Sequence, residues 1–329
     1  MKKFLVIQTA FIGDVILATA VPEHVHKHFP GAQIDMLVRT GNESLFNAHP
    51  FINKVYDWNK KSSKYWNLFR IIQLIREEGY DGVINLQRHT ASALVTILSG
   101  AKKTSGFDSS MLSVFFSYRY KHALGKRNDP AFMHEVDRCL QLTAPWTPIE
   151  KSRPALYPSA LDFSAIESYT RNPFITISPS SVWFTKQTPA EVWKKLIGAC
   201  AHVQVFLLGG PGDVTLCKSL ASDFSNVQVL AGKLSLLQSA ALMKYAVMNY
   251  TNDSAPLHLC SAMNAPATAV FCSTIPEFGF GPLSDSSRVV QTRMELPCKP
   301  CGNHGKTECP KGHFDCGNID LNDLLPKSV

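Results

Sequence analysis

The pattern that most constrains this chain is written twice. Near its start the apolar run Phe4 to Ile7 leads directly into Phe11-Ile12-Gly13-Asp14-Val15-Ile16. About 240 residues later, Tyr245 to Tyr250 leads into Thr251-Asn252-Asp253-Ser254-Ala255-Pro256-Leu257-His258-Leu259. Each reads as a buried strand, a tight turn carrying an acid, and the first turn of a helix. At the carboxyl end of a strand, a carboxylate beside free helix N–H groups marks the place where α/β sheets bind anionic ligands and do chemistry. Two such places in one chain imply two similar domains facing one cleft.

The intervening sequence fits that plan. In the first half, strands are expected near 4–8, 33–38, 54–57 and 81–86, with helices near 14–28, 64–78, 89–99 and 131–143. Pro145, Pro148, Pro154 and Pro158 then interrupt any regular helix, which makes this segment the linker. The alternation restarts with strands near 174–178, 203–208, 227–230, 246–250 and 267–271. Helices are expected near 190–200, 212–222, 235–243 and 255–264. Alternation of this kind means a parallel sheet with helices on both faces. Residues 1–150 and 160–329 are thus read as two Rossmann-like halves of an α/β protein.

Composition narrows the partners. At 329 residues the chain suits two cores, and 45% hydrophobic with 18% charged residues describes a folded protein. Its longest apolar stretches, such as Ala267 to Cys272, are strand-sized and far short of the roughly 20 residues that span a bilayer. The N-terminus lacks the apolar region and cleavage site of a signal peptide, so a cytoplasmic location is expected. A net charge of +7 favours an anionic partner. The basic residues come as pairs (Lys60-Lys61, Lys102-Lys103, Lys194-Lys195) and not as one stripe, which argues against nucleic acid.

Gly13 allows a tight turn and close approach of a ligand. Asp14 falls in the first helical turn, where the helix dipole keeps it ionised, and such a carboxylate can serve as a general base toward a hydroxyl. An ordinary N-cap aspartate is the competing reading. Asp253 and Ser254 open a second helix with Pro256 early in it and His258 one turn on, an arrangement into which a diphosphate would fit. Between the two lies a hydroxyl-rich loop, Ser178 to Pro189, containing Ser180, Ser181 and Lys186. Thr188 is expected to cap the following helix with Pro189 in its first position. Lys186 could neutralise a leaving diphosphate as a point charge. Gly209-Gly210-Pro211-Gly212 reads as a structural turn. No Asp-x-Asp triplet occurs, which argues against a metal-chelated nucleotide.

Taken in order, Ile12-Gly13-Asp14-Val15, the loop ending in Lys186 before Pro189, and Asn252 to His258 followed by Ala265-Pro266 and Phe271 resemble the ADP-heptose:lipopolysaccharide heptosyltransferases of glycosyltransferase family 9. The resemblance runs from residue 4 to about 316. It implies a GT-B fold, two Rossmann-like domains whose parallel sheets face a central cleft. It implies inverting, metal-independent transfer of heptose from ADP-heptose to the lipopolysaccharide inner core, with no cofactor. By the same resemblance Asp14 matches the catalytic base, Lys186 the diphosphate-contacting lysine, and Asp253, Ser254 and His258 the donor-binding segment. Ala255 stands where the family usually has Gly, and Pro22 arrives later than the family's usual Thr-Pro.

The acceptor is expected on the N-terminal domain. Arg88 follows the strand 81–86, while Arg119, Lys121 and Arg138 supply further positive charge for an anionic lipopolysaccharide core. A peripheral position at the inner face of the cytoplasmic membrane follows from such an acceptor. A non-catalytic sugar-nucleotide or glycan-binding protein of the same fold and a sugar-nucleotide epimerase are the alternatives. The C-terminal run Cys298-x2-Cys301-x7-Cys309-x3-His313-x2-Cys316 admits a structural zinc site, free thiols, or a disulfide or redox role. His24, His26 and His28 read as a solvated helix end.

Overall fold

The structure, a computed structural model, describes residues 1–60 and 64–325. Lys61 of the first basic pair lies outside the described residues. The chain divides into two compact units: Met1–Leu124 with Met133–Tyr157, and Gly125–Phe132 with Pro158–Val329. The changeover therefore falls at the end of the proline-punctuated segment. The short stretch Gly125–Phe132 belongs to the second unit, held there by Arg127 Nη1 donating to Leu296 O at 3.2 Å.

In the first unit, six parallel strands form one sheet. They are β1 (Lys3–Gln8), β2 (Gln33–Arg39), β3 (Ile52–Trp58), β4 (Gly82–Asn85), β5 (Lys103–Phe107) and β6 (Tyr118–Tyr120), in the order β3-β2-β1-β4-β5-β6. Its helices are α1 (Ile12–Ala18), α2 (Ala20–His28), α3 (Lys64–Glu78), α4 (Thr90–Leu98) and α5 (Glu135–Gln141). Because both faces of the sheet are covered, β1 is apolar without alternation: Phe4, Leu5, Val6 and Ile7 are each fully buried. Side chains of this kind contribute about 1.5–3 kcal/mol apiece when removed from water.

The single helix expected over 14–28 is two. The chain breaks at Thr19, whose hydroxyl donates to Ile16 O at 2.7 Å, and α2 restarts with Pro22 in its first turn. A proline has no N–H to continue the earlier helix and is tolerated only near a helix start, so the break lies just before it. His24 also departs from expectation. It is 1% exposed, with Nε2 3.0 Å from both Thr147 Oγ1 and Pro148 O, and burial lowers its pKa. The histidine end of α2 is thus partly built into the unit and is not simply solvated.

The second unit repeats the plan. Strands β7 (Phe174–Ser178), β8 (Gln204–Leu207), β9 (Val227–Val229), β10 (Met248–Asn252), β11 (Ala267–Val270) and β12 (Ser287–Val290) run parallel in the order β12-β11-β10-β7-β8-β9. Counted from the first strand of each unit, both orders are 3-2-1-4-5-6, that of a doubly wound dinucleotide-binding sheet. Helices α6 (Ala160–Ile166), α7 (Ala190–Ala199), α8 (Val214–Ala221), α9 (Leu236–Tyr245), α10 (Ala255–Met263) and α11 (Leu321–Leu324) complete it. The core gathers Ile177, Trp193, Leu207 and Tyr250 with Cys316, Ile319 and Leu324 from the C-terminal segment. In such a sheet the strand order reverses between the first and fourth strands, and ligands bind outside the carboxyl ends there. These reversal points lie between β1 and β4 in one unit and between β7 and β10 in the other.

Candidate active site

At the first reversal point β1 turns into α1 within four residues. Phe11, not Asp14, is the residue that caps α1, and Asp14 is its third residue. The N-cap reading of Asp14 is corrected accordingly. Gly13 and Asp14 are half-buried in the first turn, where the helix dipole favours a negative charge. Behind Asp14 stands α5. Burial pushes the Cys139 thiol far up, and the charges of Glu135 and, less strongly, Asp14 add to it. The ends of β1 and β4 are joined by Gln87 Nε2 donating to Gln8 Oε1, while Gln87 N donates to Asn85 Oδ1 at 2.9 Å. These bonds leave Arg88, the next residue, exposed at the same edge.

At the second reversal point two segments far apart in sequence meet. Lys186 Nζ lies 2.8 Å from Asp253 Oδ2, with the two side chains 16% and 7% exposed. Thr274 Oγ1 donates to the same oxygen at 2.6 Å. Asp253 therefore aims the ammonium at the start of α10. Ser254 caps α10 by position, yet its hydroxyl makes no capping bond and has no partner among the described residues although the atom is buried. His258, one turn on, is buried on the same helix. A buried hydroxyl, free helix N–H groups and a lysine in one place suit the oxygens of a diphosphate.

Asn252 organises the loop above. Fully buried at the end of β10, it accepts from Thr188 N at 2.9 Å and Thr188 Oγ1 at 2.7 Å, and its Nδ2 donates to Pro179 O at 2.8 Å and Ser180 O at 3.4 Å. Ser180 and Ser181 are half-buried, and Gln187 Nε2 donates to Ser181 O at 2.7 Å. Thr188 thus does not cap α7. Its hydroxyl is engaged by Asn252, and Pro189 occupies the capping position itself. The Gly209–Gly212 turn is structural, as Gly210 N donates to Asp213 Oδ2 at 2.7 Å.

The cationic set proposed from sequence separates. Arg119 and Lys121 are exposed at the edge strand β6. Arg138 is 1% exposed: its Nε donates to Glu135 Oε2 at 2.7 Å, and its Nη1 donates to Ala123 O and Met133 O. A guanidinium so enclosed braces α5 and is not presented to a ligand, which removes Arg138 from the acceptor set. Asn252 and Thr274 are the residues that sequence reasoning did not single out. The signal for Asn252 was its place at the strand end next to Asp253. Thr274 had none, since only the order of β10 and β11 brings it there.

The C-terminal cysteines lie beside this site. Cys298, Cys301, Cys309 and Cys316 line a cavity of about 280 Å³ together with Lys299 and His313. All are free thiols, and among the described residues no group of His, Cys, Asp and Glu is arranged to hold a metal ion. Lys299 is buried, donates to Phe271 O at 2.7 Å, and has its pKa lowered to about 8 by that burial. The loop is latched to the lysine turn. Thr185 N donates to Lys306 O at 3.1 Å, Lys306 N donates back to Thr185 Oγ1 at 2.8 Å, and Ser273 Oγ donates to the same hydroxyl at 3.0 Å.

Two doubly wound sheets of this order, each with a ligand-suited reversal point, define the GT-B class of glycosyltransferases. The glycosyltransferase family 9 (heptosyltransferase) model matches residues 68–311, and the chain belongs to that family. Lipopolysaccharide heptosyltransferase 3 of Escherichia coli is 26% identical over 80% of this chain and 82% of its own. Lipopolysaccharide heptosyltransferase 1 of Pseudomonas aeruginosa is 26% identical over 91% of this chain and 86% of its own. Among solved structures, Escherichia coli ADP-heptose lipopolysaccharide heptosyltransferase II superposes with a TM-score of 0.76 at 22% identity, covering 92% of this chain and 96% of its own.

Proposed function

We propose that this glycosyltransferase moves a heptose from ADP-heptose to a hydroxyl of the lipopolysaccharide inner core, with inversion and without a metal ion. The meeting of Lys186, Asp253 and the start of α10 carries the reading. In it the second unit binds the nucleotide-sugar donor. The diphosphate takes hydrogen bonds from the α10 N–H groups and the Ser254 hydroxyl, while Lys186 balances charge. His258 lies one turn behind, and Ser180 and Ser181 border the loop.

The first unit supplies the acceptor side. Asp14 takes the proton of the attacking hydroxyl, whose oxygen forms the new bond to the anomeric carbon. The bond to the β-phosphate oxygen breaks on the opposite face, and ADP leaves with that electron pair. The charge growing on the leaving oxygen is met by Lys186 and the helix dipole, groups already oriented before reaction. Gly13 permits close approach, and Arg88, Arg119 and Lys121 attract the anionic acceptor. With a lysine and a helix terminus in place, and no Asp-x-Asp pair in the chain, the diphosphate needs no divalent cation. No described helix is long and apolar enough to cross a membrane, and the enzyme works at the inner face of the cytoplasmic membrane, peripherally attached.

Purified protein, ADP-heptose and a heptose-deficient core acceptor in excess EDTA test the reading. Turnover is expected to persist, and its loss on chelation with recovery in magnesium or manganese would defeat the metal-independent step. ADP-heptose is expected to raise Tm more than UDP- or GDP-sugars, since a ligand at 100 times its Kd stabilises by about 2.7 kcal/mol.

A further inference from the structure

The first unit carries large apolar side chains where a soluble surface would have polar ones. Tyr65 and Trp66 are 81% and 77% exposed, and Phe69, one turn on along α3, is 53% exposed. Met111 and Phe115 are 83% and 66% exposed, and Phe11 is 59% exposed. None of the three segments is placed at random. Phe11 follows β1, the aromatic turn of α3 follows β3, and Met111 to Phe115 follow β5. In a parallel sheet all three therefore sit at the carboxyl edge, the edge that holds Asp14.

Hydrogen bonds fix them there. Asn67 Nδ2 donates to Asn59 O at 3.2 Å, Lys60 Nζ donates to Thr9 O at 3.1 Å, and Ser113 Oγ donates to Asp108 O at 2.9 Å. The order β3-β2-β1-β4-β5 sets the α3 cluster and the 111–115 cluster four strand spacings apart, about 19 Å at ~4.8 Å each. The reversal point lies between them.

Cations share the edge. Arg39 ends β2 with its guanidinium 5.4 Å from the Phe11 ring, Lys60 follows β3, Arg70 neighbours Phe69, and Arg88 follows β4. The acids on these turns are Asp14, Glu43, Asp57 and Asp108, and two are engaged locally: Glu43 by Gly41 N and Asp57 by Thr40 Oγ1. Aromatic rings with a polar edge, set among arginines and lysines, are the chemistry of an interfacial membrane contact.

We infer that the carboxyl edge of the first unit, through Tyr65, Trp66 and Phe69 with their flanking cations, docks on an anionic lipid surface. The inference rests on the functional reading above and extends it. A lipid-embedded acceptor whose sugars rise between the two apolar clusters reaches Asp14 without leaving the bilayer. A neutral surface offers the aromatics a place but leaves the cations unmatched, so the headgroup charge decides binding.

The full chain is tested by co-sedimentation with vesicles of phosphatidylcholine alone and of phosphatidylcholine mixed equally with phosphatidylglycerol. Binding to the mixed vesicles is expected to be tighter by about tenfold or more, with the difference closing at high salt. The triple variant Tyr65→Ser, Trp66→Ser, Phe69→Ser is expected to lose about tenfold of that affinity at unchanged Tm. Should it fold poorly, Trp66→Phe supplies the check, because the vesicle-induced blue shift of tryptophan emission should vanish while binding stays. Equal binding by wild type and triple variant, no binding by wild type, or a wild-type dimer that the triple variant abolishes would each overturn the docking surface. Turnover on a deacylated, water-soluble acceptor separates the two levels: retained turnover without docking defeats only this inference, and docking without turnover defeats the function.

Discussion

A methyl group placed on Gly305 would stand 2.9 Å from Cγ of Lys186. The cysteine-rich loop thus forms the wall against which the lysine stem lies, in addition to being latched to it through Thr185. Gly305 also has φ of +79°, whereas Gly302 has φ of +77° with open space around it. The two glycines carry the same backbone demand and differ only in what a side chain would meet.

Gly305→Ala is accordingly expected to weaken donor binding several-fold, and Gly302→Ala to leave it unchanged. Both should lose stability, by about 1–2 kcal/mol for a left-handed residue with a Cβ. Calorimetric titration with ADP-heptose on both variants reads the difference. Equal donor affinities would show that the wall does not position the lysine.

Lys186→Ala should act on binding and folding together. Loss of the charge-assisted contact to the diphosphate is expected to cost about 1.5–3 kcal/mol of donor affinity. Asp253, 7% exposed, would keep only the Thr274 hydroxyl of its two short contacts, so Tm should fall as well. A variant with wild-type donor affinity and rate would reduce Lys186 to a structural ion pair.

For Asp14 the informative change is to Asn, which keeps the volume and removes the proton acceptor. Transfer is expected to fall by about 10² to 10⁴, the usual share of general base catalysis, with donor affinity nearly constant. Since Phe11 and not Asp14 caps α1, the substitution removes no cap. Near-normal kcat on a folded Asp14→Asn protein would sink the mechanism.

Much of this site was legible from sequence because its parts sit at strand ends, where an apolar run, a turn residue and an acid make a recognisable sequence. The pairing of Lys186 with Asp253 was not, since the order β10-β7 in the sheet, and no local pattern, brings the two loops together. The same limit hid Arg138, which is enclosed by Glu135 and by the carbonyls of Ala123 and Met133. Among the elements, β1 announces itself by the unbroken apolar run Phe4 to Ile7, and β7, Phe-Ile-Thr-Ile-Ser, by its β-branched residues. β10, Met-Asn-Tyr-Thr-Asn, is marked chiefly by the turn and acid that follow it. β5, Lys-Thr-Ser-Gly-Phe, and the three-residue β6 carry no such mark. α6 carries a readable signal, the reciprocal cap of Ser159 and Asp162, masked by the prolines around it.

Asn252→Ala should loosen the loop from Ser178 to Pro189 as one piece. It removes partners from Thr188 and Pro179, buried groups that cost about 1–3 kcal/mol when left unsatisfied. Urea melts are expected to show that loss, and donor affinity should fall although Asn252 itself touches no ligand in this reading. Unchanged stability would mean that the loop is held by other bonds.

His24 gives the fold a pH dependence. Its folded pKa lies below the ordinary 6.5 because burial disfavours the charged ring. As pH falls below 6.5 the unfolded chain takes up the proton first, so this contribution to stability is full above 6.5 and is lost as pH falls toward the lower folded value. His24→Gln should flatten the decline by at most about 1.4 kcal/mol per pH unit. Denaturant melts on either side of the transition, run on both proteins, should therefore diverge in slope. Parallel slopes would show that the ring does not govern acid sensitivity.

The placement of Cys316, Ile319 and Leu324 in the core of the second unit, and of Lys306 against Thr185, sets an order in time. Translation delivers the lysine turn long before the loop that walls it in and the helix that backs its sheet. Until the last segment has emerged, the nascent second half has neither its full apolar core nor its latch, while every residue of the first unit has already been made. A ribosome that stops short of residue 296 releases a chain whose first unit has all its residues and whose second unit lacks its closing core residues and its latch. On the reading proposed above, donor binding is thereby reserved for chains that carry this last segment.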